Sequence, residues 1–315
     1  MECLVIGSGI IGSSIAWRLA QRGARVTVLE AERYFGASSW AGAGMLSPHG
    51  ERFPDAAWQE RGVASLGQYP AFVDELRRDS GDAIDFCVCG AVEIRGEEER
   101  VYPEEGIVNP RDLGFALRTV LRDLDVRILQ YRPAAGIRRS GSRWAVDALE
   151  SVIEADTVVV AAGAWSGGLT VDGGPLPATV PVKGYLLGYS CQPGSLKTVR
   201  RSGHTYILQR ADGFTIAGST EEQIGFDANV DPLIVRELQG RAAQLWDGVA
   251  GRAPDRVWTG LRPATESGQI HVEPWAYDAS LWLAYGHYRN GILLAPWTAD
   301  HVATALVPAA SVVVQ

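Results

Sequence analysis

The sequence predicts an α/β unit of Rossmann type joined to an α+β portion built on an antiparallel sheet. Three observations carry this expectation. An apolar run, Glu2-Cys-Leu-Val-Ile-Gly7, leads directly into Gly7-Ser8-Gly9-Ile10-Ile11-Gly12. A second apolar run, Arg25 to Leu29, ends on Glu30. Farther along, Val180 to Ser190, Thr205 to Leu208 and Phe214 to Ala217 have the composition of strands in a larger sheet. With 315 residues, two domains are expected at roughly 150 residues each.

Each part of the first unit has a physical reason. The opening run reads as a buried parallel strand. Ile15, Ala16 and Leu19 then recur at helical spacing up to Gly23, a natural helix stop. Gly7 permits a tight turn, Gly9 lets a pyrophosphate approach the backbone, and Gly12 lets helix pack on strand. The helix N-terminus offers N–H groups and a positive dipole end to phosphates. Glu30, 18 residues after Gly12, is placed to accept from both ribose hydroxyls and would repel a 2′-phosphate. The unit binds FAD or NAD on this reading and does not choose between them.

Composition excludes other classes. Glycine fills 36 of 315 positions, above the usual ~7%, yet without the Gly-X-Y period of collagen. The 46% hydrophobic share argues against disorder. The formal charge of −8 and the lack of a basic run argue against nucleic-acid and anionic-membrane partners. Four cysteines are too few for a disulfide framework, so a reducing cytoplasm is expected. Met1 to Trp17 lacks the positive start of a signal peptide, and Val302 to Val314 is short of the ~20 residues of a bilayer span. No His, Cys, Asp or Glu cluster has metal-ligand spacing, Cys87-Val-Cys89 included, and no metal is expected.

The segment Ser38-Ser-Trp-Ala-Gly42-Ala-Gly44-Met45-Leu-Ser-Pro-His49 favours a flavin, because its small residues let backbone pass close to a flat ring. Here the sequence resembles the D-amino-acid-oxidase family of flavoproteins, and within it the glycine oxidases associated with thiamine biosynthesis. Further matching motifs are Thr157-Val-Val-Val-Ala-Ala-Gly163-Ala-Trp165-Ser166, Gly218 to Asp227, Gly260-Leu-Arg262-Pro263, and Gly286-His-Tyr-Arg289-Asn290-Gly291 to Pro296. The likeness covers most of the chain.

The resemblance implies non-covalent FAD in a discontinuous domain, residues 1–50, 109–172 and 256–315, interleaved with a substrate domain of residues 51–108 and 173–255. It implies cofactor contacts from Gly7, Gly9, Ile10, Ile11 and Gly12, from Glu30 and Ala31, and from Ser38 and Ser39 near the phosphates. Ala43, Gly44 and Met45 would face the flavin edge, with Ala162, Gly163 and Trp165 on the second strand. His287, Arg289, Asn290, Gly291, Ile292 and Leu293 would complete the set from the last helix, expected over Asn290 to Ala305.

Between the motifs, Ala56 to Arg78 reads as helix and Ile84 to Ile94 as one alternating strand. Asn109 caps a helix that Pro110 begins. Val126 to Leu129 returns to the sheet, Trp144 to Ala148 and Val152 to Ile153 suggest a small meander, and Asp231 to Trp246 is amphipathic. Arg95 to Val108 is tens of residues shorter than the resemblance leads one to expect, as if a helical excursion were missing.

Oxidation of an amino acid by a flavin needs orientation and charge more than acid–base groups. Arg262 is the first choice for the substrate carboxylate, because a guanidinium fork matches it; Arg289 is the second. His204 and Tyr206, two apart, would share a strand face. By resemblance both line the substrate pocket, with the Tyr206 hydroxyl on the carboxylate. The expected activity is oxidative deamination of glycine, N-substituted glycines or small D-amino acids, with molecular oxygen as acceptor and glyoxylate, amine and hydrogen peroxide as products. The rivals are a dehydrogenase feeding a quinone or protein acceptor, and a flavin-binding protein without catalysis. A homo-oligomer is left open.

Overall fold

The computed structural model describes residues 1–308; the end of the Val302–Val314 run lies outside the described residues. Its first sheet has six strands, in the order His271–Trp275, Asp278–Tyr285, Thr157–Val160, Glu2–Ile6, Arg25–Leu29, Arg127–Leu129. All neighbours are parallel except the antiparallel edge pair His271–Trp275 with Asp278–Tyr285. Alternation along Glu2–Ile6 divides the core: Cys3 and Val5 face one way, Leu4 and Ile6 the other.

Helices α1 (Ile10–Gln21), α3 (Ala56–Ser80), α4 (Pro110–Asp123) and α6 (Gly291–Leu306) fill the Val5 side, while the four-residue α2 (Ser38–Ala41) precedes the loop toward Met45. On the Leu4 side lies a five-stranded sheet, antiparallel except where Thr170–Val171 runs parallel to Ala134–Ser140, that contributes Ile137, Trp144 and Val146. The result is a sandwich of a helix layer, the six-stranded sheet and this five-stranded sheet. Helix α3, assigned from sequence to the substrate domain, packs against α6 and α4 in this core. Asp55 caps it by accepting from Trp58 N at 2.9 Å, and Gly81 ends it with φ 74°.

The seven-stranded sheet runs Arg256–Thr265, Thr179–Ser190, Phe214–Gly218, Thr205–Gln209, Val199–Ser202, Ala91–Arg95, Glu98–Tyr102. Arg256–Thr265, placed by sequence with the cofactor domain, instead pairs along Thr179–Ser190 at the edge of this sheet. Helix α5 (Pro232–Leu245) covers one face through Leu238, Ala242 and Leu245. The other face turns Leu186, Tyr206 and Ile216 toward Ala43 and Ile107.

The expected strand from Ile84 to Ile94 is two strands in different sheets. Phe86–Cys87 joins a three-stranded sheet with Gly106–Val108, and Ala91–Arg95 joins the large one. The break is Gly90, at φ 73°, where the chain turns from one sheet to the other. The shortened segment after Arg95 is a hairpin closed at Gly96, φ 65°. A buried ion pair ties it down: Arg201 holds Glu105, whose other oxygen accepts from His49 N at 3.1 Å. The cap predicted at Asn109 forms, and Asp231 caps α5 in the same way. Asn109 Oδ1 accepts from Arg111 N at 3.2 Å and Asp231 Oδ1 from Leu233 N at 2.8 Å.

Candidate active site

One cavity of about 460 Å³ runs between the parallel sheet and the seven-stranded sheet. At one end it is bounded by Glu30, Ala31 and Arg132, at the other by Tyr206, Arg262 and Arg289.

At the Glu30 end, backbone forms the wall. A Cβ at Gly7 (φ 105°) would strike the Ala161 carbonyl, and one at Gly12 the Gly7 carbonyl. Gly12 therefore serves strand–helix packing and, unlike Gly7, Gly9, Ile10 and Ile11, does not line the cavity. Glu30 Oε2 accepts from Ser8 N at 3.0 Å and Ser8 Oγ at 2.7 Å, and Oε1 accepts from Glu32 N at 3.0 Å. This fixes the carboxylate while a lone pair on Oε1 stays open to a ribose hydroxyl. Ser39 Oγ accepts from Ile10 N at 2.9 Å, capping α1 from a distant loop. Ser38 Oγ donates to the Leu261 carbonyl and so pins α2 to the large sheet.

The middle of the cavity is again backbone. Gly44 has φ 81°, and a Cβ there would collide with the Val108 carbonyl. Ala43, Met45, Ala162 and Gly163 line this section, as does Trp165, which is half exposed against Phe226 with ring centroids 5.3 Å apart. His287 lines it too, buried and paired through Nε2 with Thr298 Oγ1 at 3.1 Å. Burial pushes its pKa down to about 3, so the ring is neutral in ordinary buffers. Gly291 and Ile292 reach the cavity; Asn290 and Leu293, expected beside them, do not. Asn290 is turned away to donate to the Arg52 carbonyl at 3.0 Å, and Leu293 is packed in the helix-layer core.

Helix α6 contains Pro296, which cannot donate to the Ile292 carbonyl. Tyr69 of α3 supplies the missing donor at 2.7 Å. Ser65, one turn earlier, donates to the Leu293 carbonyl at 2.7 Å and accepts from Trp297 N at 3.3 Å. The interrupted helix is thus closed by side chains of α3.

At the far end the two arginines differ. Arg262 donates from Nη2 to Ser219 Oγ at 2.7 Å and from Nη1 to the Thr220 carbonyl at 3.0 Å. It has no acidic partner among the described residues, and burial, with Arg289 nearby, lowers its pKa. Gly184 makes room for it, since a Cβ there would overlap the guanidinium. Arg289, by contrast, grips Glu51 with two nitrogens and Glu221 Oε1 at 2.9 Å. Burial opposes its charge, but Glu51 and Glu221 more than offset that and raise its pKa. Tyr206 is buried with its ring on the cavity, and burial raises the hydroxyl pKa, so it stays a neutral donor.

His204 does not join them. It lies in the turn before the strand that begins at Thr205, is half exposed, and is 3.7 Å from Glu221. Alternation with Tyr206 fails because His204 still belongs to the turn at Gly203 (φ 55°), and the strand starts only at Thr205. Sequence reasoning missed Glu51, Ser219, Glu221 and Arg132; Glu51 follows the small-residue loop closely, but nothing local marks an acid that pairs with a residue 238 positions away. Among the described residues, no group of three or more His, Cys, Asp or Glu side chains could hold a metal ion, and no helix is long and apolar enough to cross a membrane.

The groove fits FAD: two glycine-walled sections that a Cβ would fill, a fixed acceptor at Glu30, and two helix starts along it, α1 near Glu30 and α6 at the middle. Comparisons with known proteins agree. The profile of the FAD dependent oxidoreductase family, DAO, matches residues 2–101 and 99–305. The chain is 33% identical over 336 residues to the bifunctional protein ThiO/ThiG of Synechocystis sp., covering 95% of this chain and 50% of that protein. It thus spans about half the length of the first such relatives. It is 30% identical over 331 residues to the glycine oxidase of Pseudomonas aeruginosa, covering 93% and 91%. The crystal structure of glycine oxidase from Geobacillus kaustophilus superposes with a TM-score of 0.90 at 25% identity, covering 98% of this chain and 95% of that one. An iminodiacetate oxidase from Chelativorans sp. shares the fold, with a TM-score of 0.85 at 21% identity and coverage of 99% and 96%. With a Rossmann-like FAD-binding domain and an interleaved antiparallel-sheet domain meeting at this cavity, the chain belongs to the DAO family of FAD-dependent oxidoreductases.

Proposed function

We propose that the chain oxidises glycine, N-substituted glycines or small D-amino acids. The observation that carries this reading is Arg262: a half-buried guanidinium at the cavity's end, without a carboxylate of its own among the described residues, beside the Tyr206 ring. A cation left unneutralised at that end is suited to one small carboxylate. The relatives named glycine oxidase support the substrate class.

When bound, FAD would supply a hydride acceptor and a route for the electrons to oxygen, with hydrogen peroxide as product. The chain's own residues would do the rest. Glu30 would hold the ribose; Gly7, Gly9 and the start of α1 would receive the phosphates; Gly44, Met45, Gly163 and Ile292 would bound the ring. Arg262 forks onto the substrate carboxylate and Tyr206 adds a hydroxyl donor, which fixes the α-carbon in the cavity. Glu51 and Glu221 are held by Arg289, and burial makes His287 too weak a base to take up a proton, so the substrate binds with its amine already unprotonated. After loss of the hydride and of the nitrogen's proton, the imine takes up water and splits into a 2-oxo acid, glyoxylate where the substrate is glycine or an N-substituted glycine, and ammonia or the amine. Because α3 belongs to the helix-layer core and Arg256–Thr265 to the large sheet, the substrate domain is best drawn as residues 85–108 and 173–265. The four free cysteines support a reducing compartment, the cytoplasm.

The test is anaerobic mixing of the FAD-loaded protein with glycine, sarcosine and D-alanine. Bleaching of the visible flavin band by at least one is expected; no bleaching by any of them removes the assignment. Peroxide release on admitting air, against reduction of a dye, identifies the acceptor.

A further inference from the structure

Arg210 stands behind the middle of the cavity and has no part in the site described so far. It begins the turn Arg210-Ala-Asp-Gly213 that follows the strand Thr205–Gln209. Its side chain is 95% removed from solvent and donates from Nη2 to the Ala43 carbonyl. Nη1 is buried without a partner, and no carboxylate forms an ion pair with it among the described residues. The acids that bear on it at longer range are committed elsewhere. Asp85 accepts from Ala211 N at 3.0 Å, and Asp112 from Asp85 N and Asn109 Nδ2, both at 2.9 Å. Burial pushes the pKa of Arg210 down to about 10, which leaves it cationic at neutral pH.

The carbonyl it binds belongs to the Ala43–Gly44 peptide, and the N–H of that peptide is Gly44's. Gly44 gives its own carbonyl to Val108 N at 2.9 Å, while its N–H makes no hydrogen bond among the described residues. The residue lines the cavity. A cation on the carbonyl draws electron density through the peptide and strengthens the N–H as a donor. An unpaired buried charge is costly where an apolar side chain of similar length would pack as well, so its retention calls for a return elsewhere.

We propose that Arg210 is a positioning residue: by holding and polarising the Ala43–Gly44 peptide it makes the Gly44 N–H a preorganised donor to bound FAD, and its uncompensated charge favours the reduced cofactor. The inference rests on FAD binding and not on any particular substrate, so its test uses none. Apoprotein of wild type, Arg210→Met, Arg210→Gln and Arg210→Lys is titrated with FAD, and the midpoint potential of each holoprotein is measured. Loss of a charge-assisted hydrogen bond in Arg210→Met should weaken FAD binding by about ten- to a hundredfold and lower the potential. Gln retains a donor to the Ala43 carbonyl without the charge, so it should recover FAD affinity while the potential stays low. Lys retains the charge and should keep the potential near wild type. Potentials in Arg210→Met and Arg210→Gln equal to wild type would overturn the proposal, whatever their FAD affinity, and leave packing as the whole role. If Arg210→Met does not fold, as judged by circular dichroism of the apoprotein, the Gln and Lys pair decides the matter alone.

Discussion

Arg289 and Glu51 close on one another across the cavity wall, two guanidinium nitrogens to two carboxylate oxygens, each side chain only 10% exposed. Glu221 takes the third nitrogen at 2.9 Å. Ser219 Oγ lies 2.7 Å from Arg262 Nη2 and 3.4 Å from Arg289 Nη1, so the two cations are neighbours of which only one is left unneutralised.

Substitution Glu51→Gln should therefore leave Glu221 as the one carboxylate on Arg289 and free two of its guanidinium nitrogens from an anionic partner. A substrate with a second carboxylate would gain a partner. The ratio of kcat/KM for iminodiacetate over that for glycine is expected to rise about tenfold, the scale of one charge-assisted hydrogen bond. An unchanged ratio in steady-state assays would show that Glu51 does not govern carboxylate number.

Arg262→Met should raise the KM for glycine by roughly ten- to a hundredfold with FAD still bound, since charged hydrogen bonds contribute about 1.5–3 kcal/mol. Gly184→Ala offers an independent check. Its methyl group would displace the Arg262 guanidinium without changing any charge, so KM should rise in the same direction. Normal kinetics in both variants would remove Arg262 from substrate binding.

His287 makes stability depend on pH. Its pKa is about 3 when folded and 6.5 when free, with burial as the cause, so the unfolded chain binds the extra proton first. Stability contributed by the neutral ring is complete above pH about 6.5 and declines as pH falls toward about 3. Urea unfolding at pH 7 and pH 5 should show a larger loss for wild type than for His287→Gln. Equal losses would contradict the assignment.

Tyr69→Phe leaves the Ile292 carbonyl without its donor and should cost about 1–3 kcal/mol. Thermal unfolding measures this, and Ser65→Ala should act in the same direction. Because Ile292 lines the cavity, FAD affinity should fall as well.

Much of this could be read in the sequence, for identifiable reasons. Gly7, Gly12 and Gly44 were legible because steric exclusion at a glycine is local and its spacing is fixed by one turn. Arg262 and Tyr206 were legible through motif and residue type. The partners of Arg289 were not, since Glu51 and Glu221 are brought in by pairing over 238 and 68 positions. Arg210 was hidden because its charge looks like that of any turn arginine until the Ala43 carbonyl is seen beside it. The errors at Ile84–Ile94 and His204 both involve a glycine in the left-handed region: the first pattern was carried through Gly90, and the second was begun one residue after Gly203, inside its turn.

The clasp of Ser65 and Tyr69 on the proline-interrupted α6 bears on the order of folding. Helix α1 ends at Gln21 and lies against α6, which begins only at Gly291. Contacts between segments so far apart form late, because closing so long a loop costs chain entropy. Intermediates in which α6 has not docked expose the apolar surface it covers and are the species most open to aggregation.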